Sequence, residues 1–76
     1  MVRLIDVRTY SGRRADEYPL QINVNGRWLD VKVFEQHIEE DLLSRCRKRV
    51  FYVEDSEGNS HCIYYDMGLR LWFIKD

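Results

Sequence analysis

The clearest pattern in the chain is an alternation of apolar and polar residues on both sides of Asn25-Gly26. This dipeptide predicts a tight type I′ turn, which needs positive φ at both of its residues, and therefore a β-hairpin. Such a turn pairs Ile22 with Leu29 across the hairpin. One face of the hairpin is then apolar and is expected to enter the core; it consists of Leu20, Ile22, Leu29, Val31 and Val33.

The chain after residue 49 predicts a meander of further strands, at residues 50–55, 61–65 and 69–75. Two turns join these strands. One contains Gly58 and the other Gly68, and each glycine is expected in the left-handed conformation.

These two turns set the register of the meander. Phe51 then opposes Ile63, and Ile63 opposes Leu71. Because side chains alternate between the faces of a strand, Leu69 and Leu71 are expected in the core and Trp72 on the outer face.

Residues 35–49 contain no Pro, no Gly and no alternation of apolar with polar positions. Ile38, Leu42 and Cys46 instead recur at every fourth position, which is typical of one apolar stripe on a helix. Acidic residues fall early in this segment and basic residues late, as the helix dipole favours. We therefore expect one short helix between Gln36 and Arg47.

The predicted elements make a single domain of residues 1–76, with a first strand between Val2 and Tyr10 and a polar connector at 11–17. Proline cannot donate to a strand ladder, so Pro19 is expected at the start of a strand. The predicted class is α+β, mostly antiparallel β, with about six strands and one short helix. A sheet with one apolar face must bend or close, so we expect a bent sheet or a small open barrel.

Composition limits the class of function. The net charge of −1 argues against a surface built as a whole to hold nucleic acid or an anionic membrane. No segment resembles a signal peptide, and no apolar run approaches the roughly 20 residues of a membrane span. We expect a cytoplasmic protein with no membrane partner, in which the two cysteines are reduced.

The sequence assigns no catalytic, metal-binding or cofactor-binding residue and implies no small-molecule substrate. His37, Cys46, His61 and Cys62 are acceptable zinc ligands, but their spacing fits no structural zinc motif. Cys46 lies between two arginines that could activate its thiol, or it is a packed residue of the apolar stripe. The glycines are isolated and form no phosphate-binding loop.

Aromatic and basic side chains are the strongest functional signal. Trp, Tyr and Arg are enriched at the energetic centres of protein interfaces, so we expect a non-catalytic interaction module. Its partner is another protein or a second copy of the chain. The alternative is a small barrel that binds single-stranded nucleic acid, in which bases stack on aromatic rings beside a basic groove. The candidate binding residues for either function are Trp28, Lys32, Tyr64, Arg70, Trp72, Arg45, Arg47, Lys48 and Arg49.

Two further questions stay open at this level. Tyr52 and the pair Arg13-Arg14 could extend the nucleic-acid surface. The outer aromatic residues could be covered by the predicted helix or by a partner, because a large exposed apolar patch is unfavourable in water.

Several short segments, spread over most of the chain, carry a family resemblance: Val7-Arg8-Thr9-Tyr10-Ser11-Gly12, Pro19-Leu20, Asn25-Gly26-Arg27, Phe51-Tyr52-Val53 with Gly58, and Leu71-Trp72-Phe73. They are similar to a family of small uncharacterised bacterial proteins, a domain of unknown function. The resemblance implies a small β-rich cytoplasmic protein. It implies no activity, cofactor or binding residue.

Overall fold

The computed structural model describes residues 1–10 and 18–75, and this part of the chain is all β. Its strands are β1 (Val2–Leu4), β2 (Val7–Thr9), β3 (Pro19–Val24), β4 (Arg27–Glu40), β5 (Arg47–Asp55), β6 (Ser60–Asp66) and β7 (Leu71–Lys75). They form one 7-stranded antiparallel sheet in the order β1-β7-β6-β5-β4-β3-β2. No helix occurs in the described residues, so the predicted α+β class is wrong, whereas the bent sheet is confirmed.

The sheet curls into a half-barrel because its two edge strands are consecutive pieces of chain. β1 pairs with β7 and β2 pairs with β3, and only Ile5 and Asp6 lie between β1 and β2. The Ile5 N–H donates to the Trp72 carbonyl, and the Asn23 N–H donates to the Asp6 carbonyl, each at 3.0 Å. The single strand predicted for residues 2–10 is therefore two short strands that connect both edges of the sheet.

The hairpin of β3 and β4 has the predicted turn. Asn25 and Gly26 have φ of 52° and 83°, and Ile22 faces Leu29. Both of these apolar residues are buried. The Asn23 Oδ1 accepts a hydrogen bond from the Gly26 N–H at 3.0 Å, which further stabilises the turn.

The predicted burial of Leu20 is wrong. The register of β2 and β3 shifts between the pairs Arg8–Gln21 and Thr9–Pro19, so Leu20 lies in an irregularity that a strict alternation does not anticipate. As a result Pro19 is buried and Leu20 is exposed.

The meander begins as predicted. Gly58 has a φ of 85° in the first turn, and Phe51 faces Ile63. The Gly58 N–H donates to the Asp55 carbonyl at 3.0 Å, which closes this turn.

The second turn of the meander differs from the prediction. The Asp66 Oδ1 accepts hydrogen bonds from the N–H groups of Gly68 and Leu69 at 2.9 and 2.8 Å. The Arg70 N–H donates to the Asp66 carbonyl at 2.7 Å, and Arg70, not Gly68, has the positive φ, of 58°. A longer loop over residues 67–70 is thereby stabilised, and β7 begins only at Leu71.

This longer loop reverses the faces of β7. Ile63 faces Ile74 instead of Leu71. Trp72 is 8% exposed and belongs to the core, whereas Leu69 and Leu71 are exposed. The predicted outer position of Trp72 is therefore wrong.

Residues 36–47, for which a helix is predicted, instead form the end of β4, a turn and the start of β5. β4 continues to Glu40 and β5 begins at Arg47, and Glu39 faces Lys48 while Glu40 faces Arg47. The separation of acidic and basic residues therefore reflects cross-strand pairing of opposite charges, which stabilises a hairpin as well as it complements a helix dipole. The residues of the predicted apolar stripe, Ile38, Leu42 and Cys46, are all exposed.

The core lies on the inner face of the curled sheet. Phe51 is fully buried and its ring centroid lies 5.5 Å from that of Trp72, which in turn lies 5.2 Å from Tyr65. The buried cluster consists of Ile22, Leu29, Phe51, Val53, Ile63, Trp72 and Ile74.

Candidate functional site

The most distinctive surface of the protein is an unpaired stretch of β4, residues 31–40, which we call the open edge. β4 has 14 residues, and β5 pairs with it from Val31 to Glu40. On its other side β3 pairs only with Arg27 to Asp30. Within residues 1–10 and 18–75, no strand pairs with that side beyond Asp30. Such an edge presents backbone N–H and C=O groups that can pair with another chain.

The end of β3 creates this opening. Pairing of β3 with β4 stops at Gln21 and Asp30, and the next residues of β3 toward the N-terminus are Leu20 and Pro19. Leu20 lies in the irregularity against β2, and Pro19 has no N–H to donate. A bulge increases the local bend of a strand, so β3 leaves β4 at this point.

A bulge also divides the open edge. The register of β4 against β5 shifts between the pairs Val33–Val53 and Glu35–Tyr52, which leaves Phe34 as an extra residue with no facing partner. The Phe34 side chain is exposed, and its ring centroid lies 6.4 Å from that of Tyr52. The bulge thus places a large apolar side chain on the outer face of the sheet.

The two faces of the open edge carry different side chains. The outer face is charged, and the His37 Nε2 lies 3.4 Å from the Glu39 Oε1. Facing residues in β5 assign the outer positions to Lys32, Glu35, His37 and Glu39, and the ring contact with Tyr52 adds Phe34 to this face. The inner positions are mainly apolar and are those of Val31, Val33, Gln36, Ile38 and Glu40.

The tip of the β4–β5 hairpin exposes two adjacent leucines. Leu42 is 84% exposed and Leu43 is 99% exposed. The loop is nevertheless ordered by local hydrogen bonds: the Asp41 N–H donates to the Cys46 carbonyl at 2.9 Å, and the Asp41 Oδ1 accepts from the Leu43 N–H at 2.9 Å. The hydrogen bond from the Leu43 N–H lowers the pKa of Asp41 below its usual value. The tip therefore presents apolar side chains on a structured loop.

A carboxylate–imidazole pair lies at the opposite end of β5. The Asp55 side chain is buried, and its Oδ2 lies 2.7 Å from the His61 Nε2. Its Oδ1 accepts from the N–H groups of Glu57 and Asn59 at 2.8 and 3.0 Å. The hydrogen bond from His61, followed by that from the Asn59 N–H, lowers the pKa of Asp55. Both carboxylate oxygens are thus used to hold the β5–β6 turn, which is a structural role.

The outer face of β5 to β7 is covered by its own side chains. Tyr64 is buried on this face; its ring stacks on that of Phe73 at 5.2 Å between centroids. The ammonium groups of Lys48 and Lys75 lie over the Tyr64 ring at 4.8 and 5.6 Å. Burial raises the pKa of the neighbouring Cys62 thiol. Lysine side chains, rather than a helix, therefore cover these aromatic residues.

The structure separates the binding residues proposed from the sequence. Trp28 and Lys32 lie on the outer face of β4, where the Arg8 guanidinium covers the Trp28 ring at 4.1 Å. Trp72 lies in the core, and the Arg49 guanidinium lies 5.7 Å from the Phe51 ring centroid on the inner face. These aromatic rings do not form one exposed stacking surface.

The remaining basic residues gather at the end of the sheet that holds the hairpin tip. Arg45 and Arg70 are exposed in the two loops at this end, and the Met67 N–H donates to the Arg47 carbonyl at 3.0 Å. The Arg47 Nε lies 4.0 Å from the Glu40 Oε2. An acidic side chain, that of Glu40, therefore lies beside this basic cluster. The pair Arg13-Arg14 lies outside the described residues.

The open edge is not predicted from the sequence, because residues 36–40 fall within the expected helix. One signal could have found it. Glu39 and Glu40 mirror Lys48 and Arg47 about the tip of a hairpin, which is the arrangement that cross-strand pairing favours.

Comparisons of the chain with protein-family models, with curated proteins and with solved structures found no match. The resemblance to a bacterial family and the cytoplasmic location thus stay predictions. Among residues 1–10 and 18–75, no helix is long and apolar enough to cross a membrane. The same residues contain no group of three or more His, Cys, Asp or Glu side chains that could hold a metal ion.

Proposed function

We propose that the protein is a non-catalytic interaction module that binds an extended segment of another polypeptide along the open edge of β4. One observation supports this proposal above the others: the edge is unpaired within the described residues and carries exposed apolar side chains, Phe34 and Ile38, on its two faces. In strand addition, backbone hydrogen bonds supply affinity and alternate side chains supply specificity. Both are available on this edge.

The open edge is organised before a partner arrives. β5 pairs with it from Val31 to Glu40, and β6 pairs with β5 in turn. A partner therefore binds a strand that is already extended and already hydrogen-bonded to β5 on its other side. This lowers the conformational entropy that binding must overcome.

The charges on the edge provide selectivity. Edge strands usually carry charged residues that discourage indiscriminate pairing, and here Lys32, Glu35 and Glu39 serve this purpose on the outer face. A strand that brings like charges to these positions is repelled, whereas one with opposite charges is accepted. The edge therefore favours a partner of defined sequence.

Binding of single-stranded nucleic acid has less support. Bases need open ring faces on which to stack. The Tyr64 ring is covered by Lys48 and Lys75, the Trp28 ring by Arg8, and Trp72 is buried. A titration with single-stranded RNA and DNA at low salt compares the two functions, and binding that falls steeply with salt would favour the nucleic-acid function.

Site-specific photo-crosslinking tests the proposed function. A photoreactive phenylalanine analogue is placed at position 38 on the open edge, with position 71 on β7 as a matched control because Leu71 is also exposed but lies in a strand away from this edge. In cells that express the full chain, we expect a discrete protein adduct from position 38 and none from position 71. Absence of an adduct from position 38, or equal yields from both positions, contradicts the proposal.

A further inference from the structure

We infer that the partner of the open edge is a second copy of this chain, bound by antiparallel pairing of two β4 strands across a two-fold axis at Gln36. This inference rests on the proposed function of the edge. It depends on the order of side chains along the edge and on the face that each one occupies.

Antiparallel pairing of two identical strands makes the same residues meet twice, once on each side of the axis. With the axis at Gln36, Gln36 meets its own copy and Glu35 meets His37 of the second copy. Facing residues of a sheet must lie on the same face. Gln36 is an inner residue, and Glu35 and His37 are both outer residues, so these pairs satisfy the requirement.

The bulge at Phe34 determines how the two copies pair on the N-terminal side of Glu35. A bulge places two residues opposite one, so Phe34 and Glu35 together oppose His37. Val33 then meets Ile38, and both are inner residues. Lys32 meets Glu39, and both are outer residues. If Phe34 took an ordinary position in the pairing, Lys32 would instead face Glu40, which is an inner residue. The bulge therefore allows outer residues to face outer residues and inner residues to face inner residues.

The resulting contacts are complementary in charge and polarity. Lys32 meets Glu39 on both sides of the axis, and an imidazole N–H of His37 can donate to the Glu35 carboxylate. On the inner face, Ile38 gains the apolar partner Val33, which removes part of its exposed surface from water.

Neighbouring registers are unfavourable. An axis moved to His37 brings Glu35 against Glu39 of the second copy, and an axis moved to Glu35 brings that residue against itself. Either change places like charges in facing positions, which destabilises a sheet. The charge pattern therefore selects the register centred on Gln36.

The same register gives the exposed hairpin tip a neighbour. The paired region ends where Val31 meets Glu40, so the tip of each copy abuts the point at which β3 leaves β4 in the other. Leu20 is exposed at that point. The exposed Leu42 and Leu43 therefore approach an apolar residue that the fold of one copy leaves uncovered.

Charge reversal provides a specific test by sedimentation velocity of the full chain over a range of concentrations. We expect the wild type to form a dimer. Lys32→Glu places two carboxylates in facing positions, and Glu39→Lys places two ammonium groups there. We therefore expect the dimer dissociation constant of each variant alone to rise by a factor of about ten or more. In a mixture of the two variants, opposite charges face each other on both sides of the axis. We therefore expect a heterodimer that neither variant forms by itself.

The mixture distinguishes loss of pairing from misfolding of the variants. Each substitution also faces a like charge in its own β5, Glu54 or Lys48, so thermal unfolding must show that both variants are folded. A misfolded chain would not regain association on mixing. Arg3→Glu is the control, because it reverses a charge on β1, an exposed strand that pairs with β7 and not with β4, and it should dimerise as the wild type does.

The outcomes separate this inference from the function on which it rests. A monomeric wild type at all concentrations, a mixture that stays monomeric, or equal weakening by Arg3→Glu each refutes self-pairing at Gln36. A monomeric wild type that still gives a crosslinked adduct with a different protein leaves the proposed function intact. Failure of both experiments refutes both.

Discussion

Leu71 and Ile74 of β7 allow a direct test of the register that closes the fold. Ile74 is 3% exposed and packs in the core opposite Ile63, whereas Leu71 is 43% exposed and faces Asp66. Truncation of a buried Ile to Ala costs about 2–5 kcal/mol, so we expect Ile74→Ala to lower the free energy of unfolding by about 3 kcal/mol. Full burial of a Leu side chain contributes about 1.5–3 kcal/mol, and Leu71 is little more than half covered, so Leu71→Ala should cost about 1 kcal/mol.

Urea unfolding followed by Trp fluorescence measures both variants. A domain of this length has a stability of roughly 4–11 kcal/mol, so Ile74→Ala should remain folded in the absence of urea. Ile74→Val, expected to cost about 0.5–1.5 kcal/mol, serves if it does not. If Leu71→Ala destabilises the protein more than Ile74→Ala at an unchanged m-value, the observed register is wrong and the shorter turn expected from the sequence is right.

Local structure supports three other predictions. The pKa of Asp55 is lowered in the fold, so its ionised carboxylate stabilises the protein fully at pH values above the unfolded-state pKa of about 3.9, and this stabilisation is lost as the pH falls through the lower folded-state pKa. The urea concentration at the unfolding midpoint of the wild type should therefore decrease as the pH is lowered below about 4, and that of Asp55→Asn should depend less on pH in this range. Cys46 is exposed and Cys62 is half-buried with a raised pKa, so a thiol reagent at pH 8 should label one cysteine rapidly and one slowly, and Cys46→Ser should remove the rapid phase. Gly58 has positive φ, so Gly58→Ala should cost about 1–2 kcal/mol in thermal unfolding, whereas Gly68→Ala should cost less, and the reverse order would contradict the observed loop.

The helix predicted between Gln36 and Arg47 is wrong because the pattern of residues 35–49 fits two different structures. Apolar residues at every fourth position and segregated charges are compatible with a helix, but they are also compatible with a hairpin whose strands carry opposite charges. Only the neighbouring strand distinguishes them. β6 pairs with β5 from Lys48 onward, which requires β5 to be extended there and extends β4 with it.

The structure places the candidate binding residues apart from one another. Lys32 lies on the open edge, whereas Trp72 lies in the core and Tyr64 is covered. Residue types alone indicate that a side chain can take part in binding, but its position depends on the face to which a distant turn directs its strand. Three hydrogen bonds to Asp66 lengthen the β6–β7 turn and thereby move Trp72 inward.

The sequence by itself determined the elements that depend on short-range chemistry. The Asn25-Gly26 turn, the positive φ of Gly58 and the facing pair Ile22–Leu29 follow from backbone sterics and from a side-chain period of two. The tertiary structure decided what depends on contacts between distant segments: the split first strand, the extended β4 in place of a helix, and the edge that β3 leaves open beyond Asp30. Backbone hydrogen bonds must be satisfied by whichever strand lies alongside, and no local pattern records which strand that is.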